Sequence, residues 1–271
     1  DVYKRQDFPY ADVYLKFLKE NRDDAIRAID RQLAIALKQE EAEFAYLMAR
    51  AKECIRGDVR DRLETTYAME GIYNKNWGQG EDLSDLLKEI TDRYESVIND
   101  EPNCAEAYGA LGRLFEAQAL YIKAKFYDEK ALALAEDDLL KEQMRMALER
   151  VEEPAAIDGA KTYLHYGKYE DAIAAIQSLD SKYTDPAQCA HILGMAYYGL
   201  RDMEKAIAFL EDAASHGDDG EIENDLAIAL AAAGREEEAL DILSSLLDKE
   251  NDNRTALMNR GILYYLSLIH I

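Results

Sequence analysis

The chain has 271 residues, of which 55 are acidic and 32 basic, so its formal net charge at pH 7 is −23. A charge of that sign and size repels nucleic acid and anionic membrane surfaces, and we expect this chain to bind neither. No run of residues approaches the roughly 18 uninterrupted apolar positions of a membrane-spanning helix, and the three cysteines form no CxxC pair, which favours a reducing compartment such as the cytoplasm over a disulfide or zinc framework.

The two terminal hexapeptides, Asp1–Gln6 and Leu266–Ile271, can be encoded by one DNA word and by its reverse complement. The word GATGTGTATAAGAGACAG encodes the first hexapeptide, and its reverse complement encodes the second. A DNA word at one end and its reverse complement at the other resembles a transposon-end adaptor on a sequencing fragment. We expect both hexapeptides to be translated adaptor, and residues 7–265 to be a piece of a longer reading frame.

The N-terminal part of the chain predicts amphipathic helices separated by short turns. Glycine and proline are scarce, with 14 and 4 residues, which favours long helices. Apolar side chains recur at intervals of three and four residues, as on one face of a helix. The predicted helices are Tyr10–Lys19, Asp24–Leu37, Glu41–Ile55, Arg60–Asn76 and Leu83–Asn99.

A repeat of about 34 residues follows in the C-terminal half. Its marker is a small residue in a helical pattern, at Ala160, Gly194, Ala227 and Gly261, with spacings of 34, 33 and 34 residues. Glycine inside a helix costs about 1 kcal/mol relative to alanine, so we expect a second helix to approach closely at these positions. An alanine 12 residues after each of the first three markers predicts where that second helix crosses.

The repeat resembles the tetratricopeptide repeat in two segments, Tyr108-x-x-Leu111-Gly112-x-x-Phe115 and His191-Ile192-Leu193-Gly194-Met195-Ala196-Tyr197. The resemblance extends over Ala105–Ala135 and Glu153–Tyr265, although Glu223 and Arg260 stand where that family usually has apolar residues. It implies an all-α fold, an α-solenoid of stacked helix-turn-helix hairpins. It also implies a right-handed superhelix whose first helices line a concave surface.

The repeat spacing predicts how the chain is divided. Residues 7–137 are expected to form degenerate and regular repeat helices, and residues 153–265 a regular array whose last unit has only its first helix. Between Gly112 and Ala160 lie 48 residues, which is one repeat of 34 plus 14. The surplus predicts an extra helix at residues 138–152 between two subarrays, ended by Pro154, because proline disrupts a helix interior.

A search for chemistry-bearing motifs predicts no catalytic site, no metal and no cofactor. Cys189 and His191 are two residues apart on a predicted helix, hence about 200° apart around its axis, and cannot share a metal ion. The acidic loop Ser215–Glu221 would need Leu226 as the twelfth ligand of a calcium loop. The chain contains no GxxxxGK[ST], GxSxG or HExxH motif. We therefore expect a protein that is not an enzyme.

The first helices carry a stripe of residues three before, and one, four and five after, each small marker. One interpretation places this stripe in the core. The other makes it an accessible groove, because Leu193, Tyr197, Leu226 and Leu230 already fill the packing face. The candidate peptide-binding residues are Lys161, His165, His191, Met195, Tyr198, Asn224, Ile228 and Met258.

Two classes of function fit this sequence. The first is a non-enzymatic scaffold that binds a peptide segment of a protein partner in a concave groove. The alternative is the sensor or recruiting portion of an enzyme or transcription regulator whose active or DNA-binding domain is missing from this sequence. Residues 211–252 hold 14 acidic and 2 basic side chains, and we interpret them as a solvated outer face rather than a docking surface for a basic partner.

Overall fold

The computed structural model describes residues 21–80, 82–179 and 185–269, with side chains up to residue 265. These residues form thirteen α-helices and no strand. The first six helices are α1 (Arg22–Lys38), α2 (Ala42–Ile55), α3 (Val59–Asn76), α4 (Ser84–Asp100), α5 (Ala105–Ala117) and α6 (Tyr121–Leu134). The remaining seven are α7 (Asp138–His165), α8 (Tyr169–Gln177), α9 (Pro186–Gly199), α10 (Met203–Ser215), α11 (Gly220–Ala232), α12 (Glu236–Lys249) and α13 (Arg254–Ile269).

Some sequence-based predictions lie outside the described residues. These are the predicted helix at Tyr10–Lys19, the N-terminal hexapeptide and the side chains of the C-terminal hexapeptide. The interpretation of the two hexapeptides as translated adaptor therefore stays a prediction. The other predicted N-terminal helices coincide with α1 to α4 to within two residues at each end.

The chain divides into two compact units. Unit 1 comprises residues 1–118 and 126–147, and unit 2 comprises residues 119–125 and 148–271. The boundaries between these units fall between α5 and α6, inside α6 and inside α7.

Unit 2 is built from helical hairpins whose ends follow the capping rules. Asp185, Asp202 and Asp219 precede α9, α10 and α11, and each side chain accepts a hydrogen bond from a backbone N–H of the first turn. Gly167 and Gly234 end first helices with φ of 68° and 80°. A residue in this left-handed conformation allows the backbone N–H of the following residue to donate a hydrogen bond to the last turn of the helix. Lys168 and Arg235 each donate such a bond, at 2.9 Å, to the carbonyl oxygen five residues earlier.

The predicted close approach of the two helices is present at Gly194. A Cβ atom on this residue would lie 2.6 Å from Leu210 Cγ and 3.2 Å from the Ala206 carbonyl oxygen, both on α10. Only glycine permits that separation of α9 and α10 without a shift. At Gly261 no heavy atom lies within 4 Å of a Cβ built there, and the described residues contain no helix after α13 that could cross it, so the expectation is not tested at this position.

Consecutive hairpins of unit 2 stack mainly through the second helix of one hairpin and the first helix of the next, with α10 on α11 and α12 on α13. Helix α9 packs on α10, α11 packs on α12, and α11 also contacts α9 and α13. The shared core contains Leu226, Leu230 and Leu243, with alanines where helices cross, such as Ala227 and Ala239. The all-α solenoid of stacked hairpins that the sequence predicts is therefore confirmed.

Unit 1 contains a buried ionic cluster where α2 meets α3. The Asp61 side chain is fully buried and accepts two hydrogen bonds from the guanidinium of Arg56. Lys52 is also buried and places its Nζ 2.8 Å from Asp30 and 2.7 Å from Glu64. Charges this deeply buried are tolerated only when they are paired. Removal of any one side chain would therefore leave an uncompensated charge in the cluster.

The predicted helix end at Pro154 is wrong. Helix α7 runs without interruption from Asp138 to His165, with Pro154 inside it, so residues 138–152 are not a separate helix. Proline in a helix interior costs about 3 kcal/mol through the missing N–H and a clash with the preceding turn. Burial of Val151, Ala155 and Ile157 on both sides of the proline offsets this cost.

Candidate peptide-binding groove

A groove of about 720 Å³ opens on unit 2 along the first helices α7, α9 and α11. The last turns of α7 form one wall, α9 runs along the floor, and the N-terminal half of α11 forms the other wall. Its apolar lining comprises Leu164, Tyr169, Ile192, Met195 and Tyr198. The other half of the lining consists of charged, amide and imidazole side chains, and a concave surface that combines apolar and polar groups is typical of a ligand-binding site.

Four of the eight candidate residues line this groove: Lys161, His191, Met195 and Tyr198. Met195 and Tyr198 are half-buried, since their inner sides pack against the core of the next hairpin. Their remaining surface faces the groove, and the Lys161 side chain is exposed. The structure thus brings these four residues together from two successive first helices.

The other four candidates do not line the groove. Asn224 is buried and accepts a hydrogen bond from Asn259 Nδ2 at 2.9 Å, so α13 covers it. Ile228 is half-buried one turn further along α11, and Met258 is an exposed residue of α13. His165 is exposed, and its ring contacts Tyr166 at 5.2 Å between centroids.

Sequence reasoning missed several groove residues. Arg201 lies in the turn after α9, and Asp219, Glu221 and Asp225 lie at or near the start of α11. These three acidic residues belong to the stretch 211–252. The interpretation of that stretch as a solvated outer face therefore does not hold for them. The N-cap position of Asp219 was a usable signal, because it places a carboxylate at the open end of a first helix.

The groove wall between α9 and α11 is held by a polar pair. His191 Nε2 lies 2.8 Å from Asp225 Oδ2, and both side chains are mostly buried. The two residues are 34 positions apart, which is one repeat. This contact fixes the orientation of the imidazole along the groove floor, and it accounts for His191 without a metal ion.

Tyr169, the first residue of α8, forms the end of the floor. A Cβ built on Gly199 would lie 2.3 Å from Tyr169 Cε1, so the ring lies directly on the α9 backbone. A larger residue at position 199 would displace the ring from the groove. The end of the floor is therefore set by a small residue on one helix and an aromatic ring from the helix before it.

The corresponding surface of unit 1 is occupied by its own side chains. Arg113 follows Gly112 as Lys161 follows Ala160, but its guanidinium carbon lies 5.8 Å from the Tyr67 ring centroid and its Nη2 lies 3.4 Å from Glu70. Tyr94 is fully buried and donates a hydrogen bond to Glu70 at 2.8 Å. Burial raises the pKa of Tyr67 to about 12, and burial next to Glu70 also raises the pKa of Tyr94.

The thiols offer no nucleophile for this groove. Cys189 is buried in α9, and burial raises its pKa to about 11, so it is a neutral thiol at pH 7. Among the described residues, no group of three or more histidine, cysteine or acidic side chains could hold a metal ion. Over the same part of the chain, no helix combines the length and the apolar character needed to cross a membrane.

Comparison with known proteins shows similarity at the level of structure. The sequence matches no protein-family model and no curated protein sequence. YrrB, described as a TPR protein with an unusual peptide-binding site, is 14% identical over 78% of this chain and 96% of its own, with a TM-score of 0.47. MamA from Desulfovibrio magneticus RS-1 is 16% identical over 70% of this chain and 97% of its own, with a TM-score of 0.43.

A third similar structure is the TPR2AB domain of yeast Sti1, in a complex with pHSP90. It is 14% identical over 89% of this chain and 98% of its own, with a TM-score of 0.38. These values are low, and the tetratricopeptide-like fold is assigned from the repeated hairpins themselves.

Proposed function

We propose that this chain is a non-enzymatic interaction scaffold and that unit 2 binds a short segment of another protein in the groove on α7, α9 and α11. The observation that carries this proposal is the combination of a volume of about 720 Å³ with an open, aromatic and thioether lining. Met195 supplies an adaptable surface, and Tyr198 supplies a large contact area at a low cost in conformational entropy.

The groove suits a segment of chain better than a small molecule. It follows α9 over most of the length of that helix, from Asp185 to Arg201, which is about 24 Å at a rise of 1.5 Å per residue. About seven residues of extended chain at 3.3 Å each span that distance. Backbone amides of such a segment can bond to Gln188 and His191, while its side chains cover the apolar floor.

Selection from a random heptapeptide library against the purified chain tests this proposal. For the peptides recovered, Tyr198→Ala should weaken binding by about 1 to 3 kcal/mol, as expected for an aromatic residue at the centre of an interface. Fluorescence anisotropy measures the affinity. The matched control is Tyr166→Ala, since Tyr166 is 71% exposed on the neighbouring helix end and does not line the groove.

Because Tyr198 also packs on the core, a second readout separates lost contact from lost folding. The ¹³C-labelled methyl group of Met195 should shift on peptide addition in the unmutated chain. Selected peptides that bind Tyr198→Ala as tightly as the unmutated chain and leave the Met195 signal unchanged would place binding elsewhere.

A further inference from the structure

The charged side chains of the groove are segregated by sign. Four carboxylates, those of Asp185, Asp219, Glu221 and Asp225, lie at or near the N-terminal ends of α9 and α11. Of the two cations, Arg201 follows the C-terminal end of α9, and Lys161 lies one turn before the end of α7, at the repeat position of Met195. The apolar side chains of Ile192, Met195 and Tyr198 lie along α9 between the carboxylates at its N-terminal end and Arg201.

The two groups occupy opposite ends because the first helices run in the same direction. Helix α8 separates α7 from α9, and α10 separates α9 from α11, and each intervening helix reverses the chain. The N-terminal ends of α9 and α11 therefore lie together, and so do the C-terminal ends of α7 and α9. The groove has an acidic end and a basic end.

The cations at the basic end are available to a ligand. Among the described residues, neither Lys161 nor Arg201 has an ion-pair partner within 4.0 Å, and both side chains are exposed. Three carboxylates of the acidic end already have hydrogen-bond partners, since Asp185 and Asp219 cap helices and Asp225 contacts His191. Glu221 is exposed and makes no side-chain hydrogen bond to another described residue.

Arg201 occupies an unfavourable backbone position. Its φ is 64°, in the left-handed region, and the equivalent residues of the neighbouring repeats in unit 2 are Gly167 and Gly234. The turn between α5 and α6 carries Ala119 at φ 55°, so a side chain is tolerated in such a turn at a cost. Arg201 is distinguished by its long cationic side chain, which lines the groove at a turn where the neighbouring repeats of unit 2 have glycine.

We propose that the groove selects a segment of about seven residues with a cationic side chain at one end, apolar side chains in the middle and an acidic side chain at the other. The cationic end lies against Asp219 and Glu221, and the acidic end lies between Lys161 and Arg201. This inference rests on the proposed function, because it specifies the ligand of that same groove.

Three heptapeptide libraries with capped termini test the proposed polarity. Each peptide has three randomised residues in the middle and two fixed charged residues at each end. In the first library one end is cationic and the other acidic, in the second both ends are cationic, and in the third both ends are acidic. The library with opposite charges should be enriched over both others on the unmutated chain, by about 3- to 10-fold, because exposed ion pairs each contribute a factor of a few. Enrichment should fall at high salt.

Charge reversal at the basic end tests the assignment of residues. In Lys161→Glu/Arg201→Glu both ends of the groove are acidic, so the preferred library should become the one with two cationic pairs. The matched control is Lys168→Glu/Lys205→Glu, which changes the net charge equally at exposed residues outside the groove lining. The control should keep the preference for opposite charges.

Each outcome separates the two proposals. Enrichment of all three libraries alike, lost in Tyr198→Ala, would retain groove binding and overturn the polarity. A switch of preference in the control as well would overturn the roles of Lys161 and Arg201. No enrichment of any library over Tyr198→Ala would overturn the proposed function itself.

Arg201→Gly distinguishes a role of Arg201 in binding from a purely structural role. Glycine relieves the left-handed backbone strain, so the urea midpoint of unfolding should rise. Binding of the library with opposite charges should nevertheless weaken, because one cation is lost. A variant that is more stable and binds unchanged would remove Arg201 from the site.

Discussion

Gly194→Ala tests the helix crossing on which the hairpin architecture of unit 2 depends. The added methyl group would lie 2.6 Å from Leu210 Cγ, 3.0 Å from Leu210 Cδ2 and 3.2 Å from the Ala206 carbonyl oxygen. Carbon atoms in contact normally lie about 3.5 to 4.0 Å apart. Leu210 is fully buried and cannot move into solvent, so α9 and α10 must separate.

Two opposing effects determine the magnitude. Forcing an extra methyl group into a packed crossing costs about 1 to 3 kcal/mol, whereas alanine gains about 1 kcal/mol over glycine in a helix interior. Gly194→Ala should therefore change the free energy of unfolding by about 0 to 2 kcal/mol in the destabilising direction. Gly261→Ala, where no atom lies within 4 Å, should stabilise by about 1 kcal/mol.

The difference between the two variants isolates the packing cost, because the gain in helix propensity is common to both. Urea unfolding followed by far-UV circular dichroism measures that difference, which should be about 1 to 3 kcal/mol. Native-state hydrogen exchange of α9 and α10 amides shows whether the loss is local, as expected for a repeat array. Equal changes at both glycines would refute the assigned crossing.

Three further predictions address the packing face, the ligand and the alkaline limit of stability. Ala206→Leu should destabilise unit 2 by about 1 to 3 kcal/mol and Glu211→Leu should do little, as measured by urea unfolding; equal effects would mean that the packing faces are assigned wrongly. Affinity for a selected peptide, titrated at two ionic strengths, should weaken only modestly with salt because apolar contacts dominate, and a loss much larger than the roughly 3- to 10-fold expected from the charged ends of the segment would favour the acidic outer face as the binding site. Because burial raises the pKa of Tyr67 from 10.0 to about 12, its stabilising contribution is complete below pH 10 and is lost as the pH rises toward 12. Tyr67→Phe should therefore lose less stability over that range than the unmutated chain, and equal losses would contradict the burial argument.

Much of the fold could be predicted because it depends on spacing along the chain. The 34-residue period, the amphipathic pattern and glycines such as Gly167 and Gly234 specify helices and turns locally, since each acts within a few residues of its own position. The crossing of α9 and α10 at Gly194 and Ala206 could also be predicted, because both residues recur at a constant offset. Helices α1 to α4 follow from the apolar periodicity alone.

The prediction failed where packing between helices outweighed a local preference. Pro154 was expected to end a helix, yet burial of Val151, Ala155 and Ile157 carries α7 through it. The local effect of proline was interpreted correctly, but its consequence depended on packing against residues distant in the chain.

The candidate groove shows the same division. A stripe on each first helix could be predicted from the sequence, and Lys161, His191, Met195 and Tyr198 lie in the groove as that stripe predicts. Only the tertiary structure places Arg201 and Glu221 beside them and buries Asn224 under α13. The physical reason is that a helical period specifies which face a side chain occupies, whereas the stagger between neighbouring helices decides which faces meet and which remain open to a ligand.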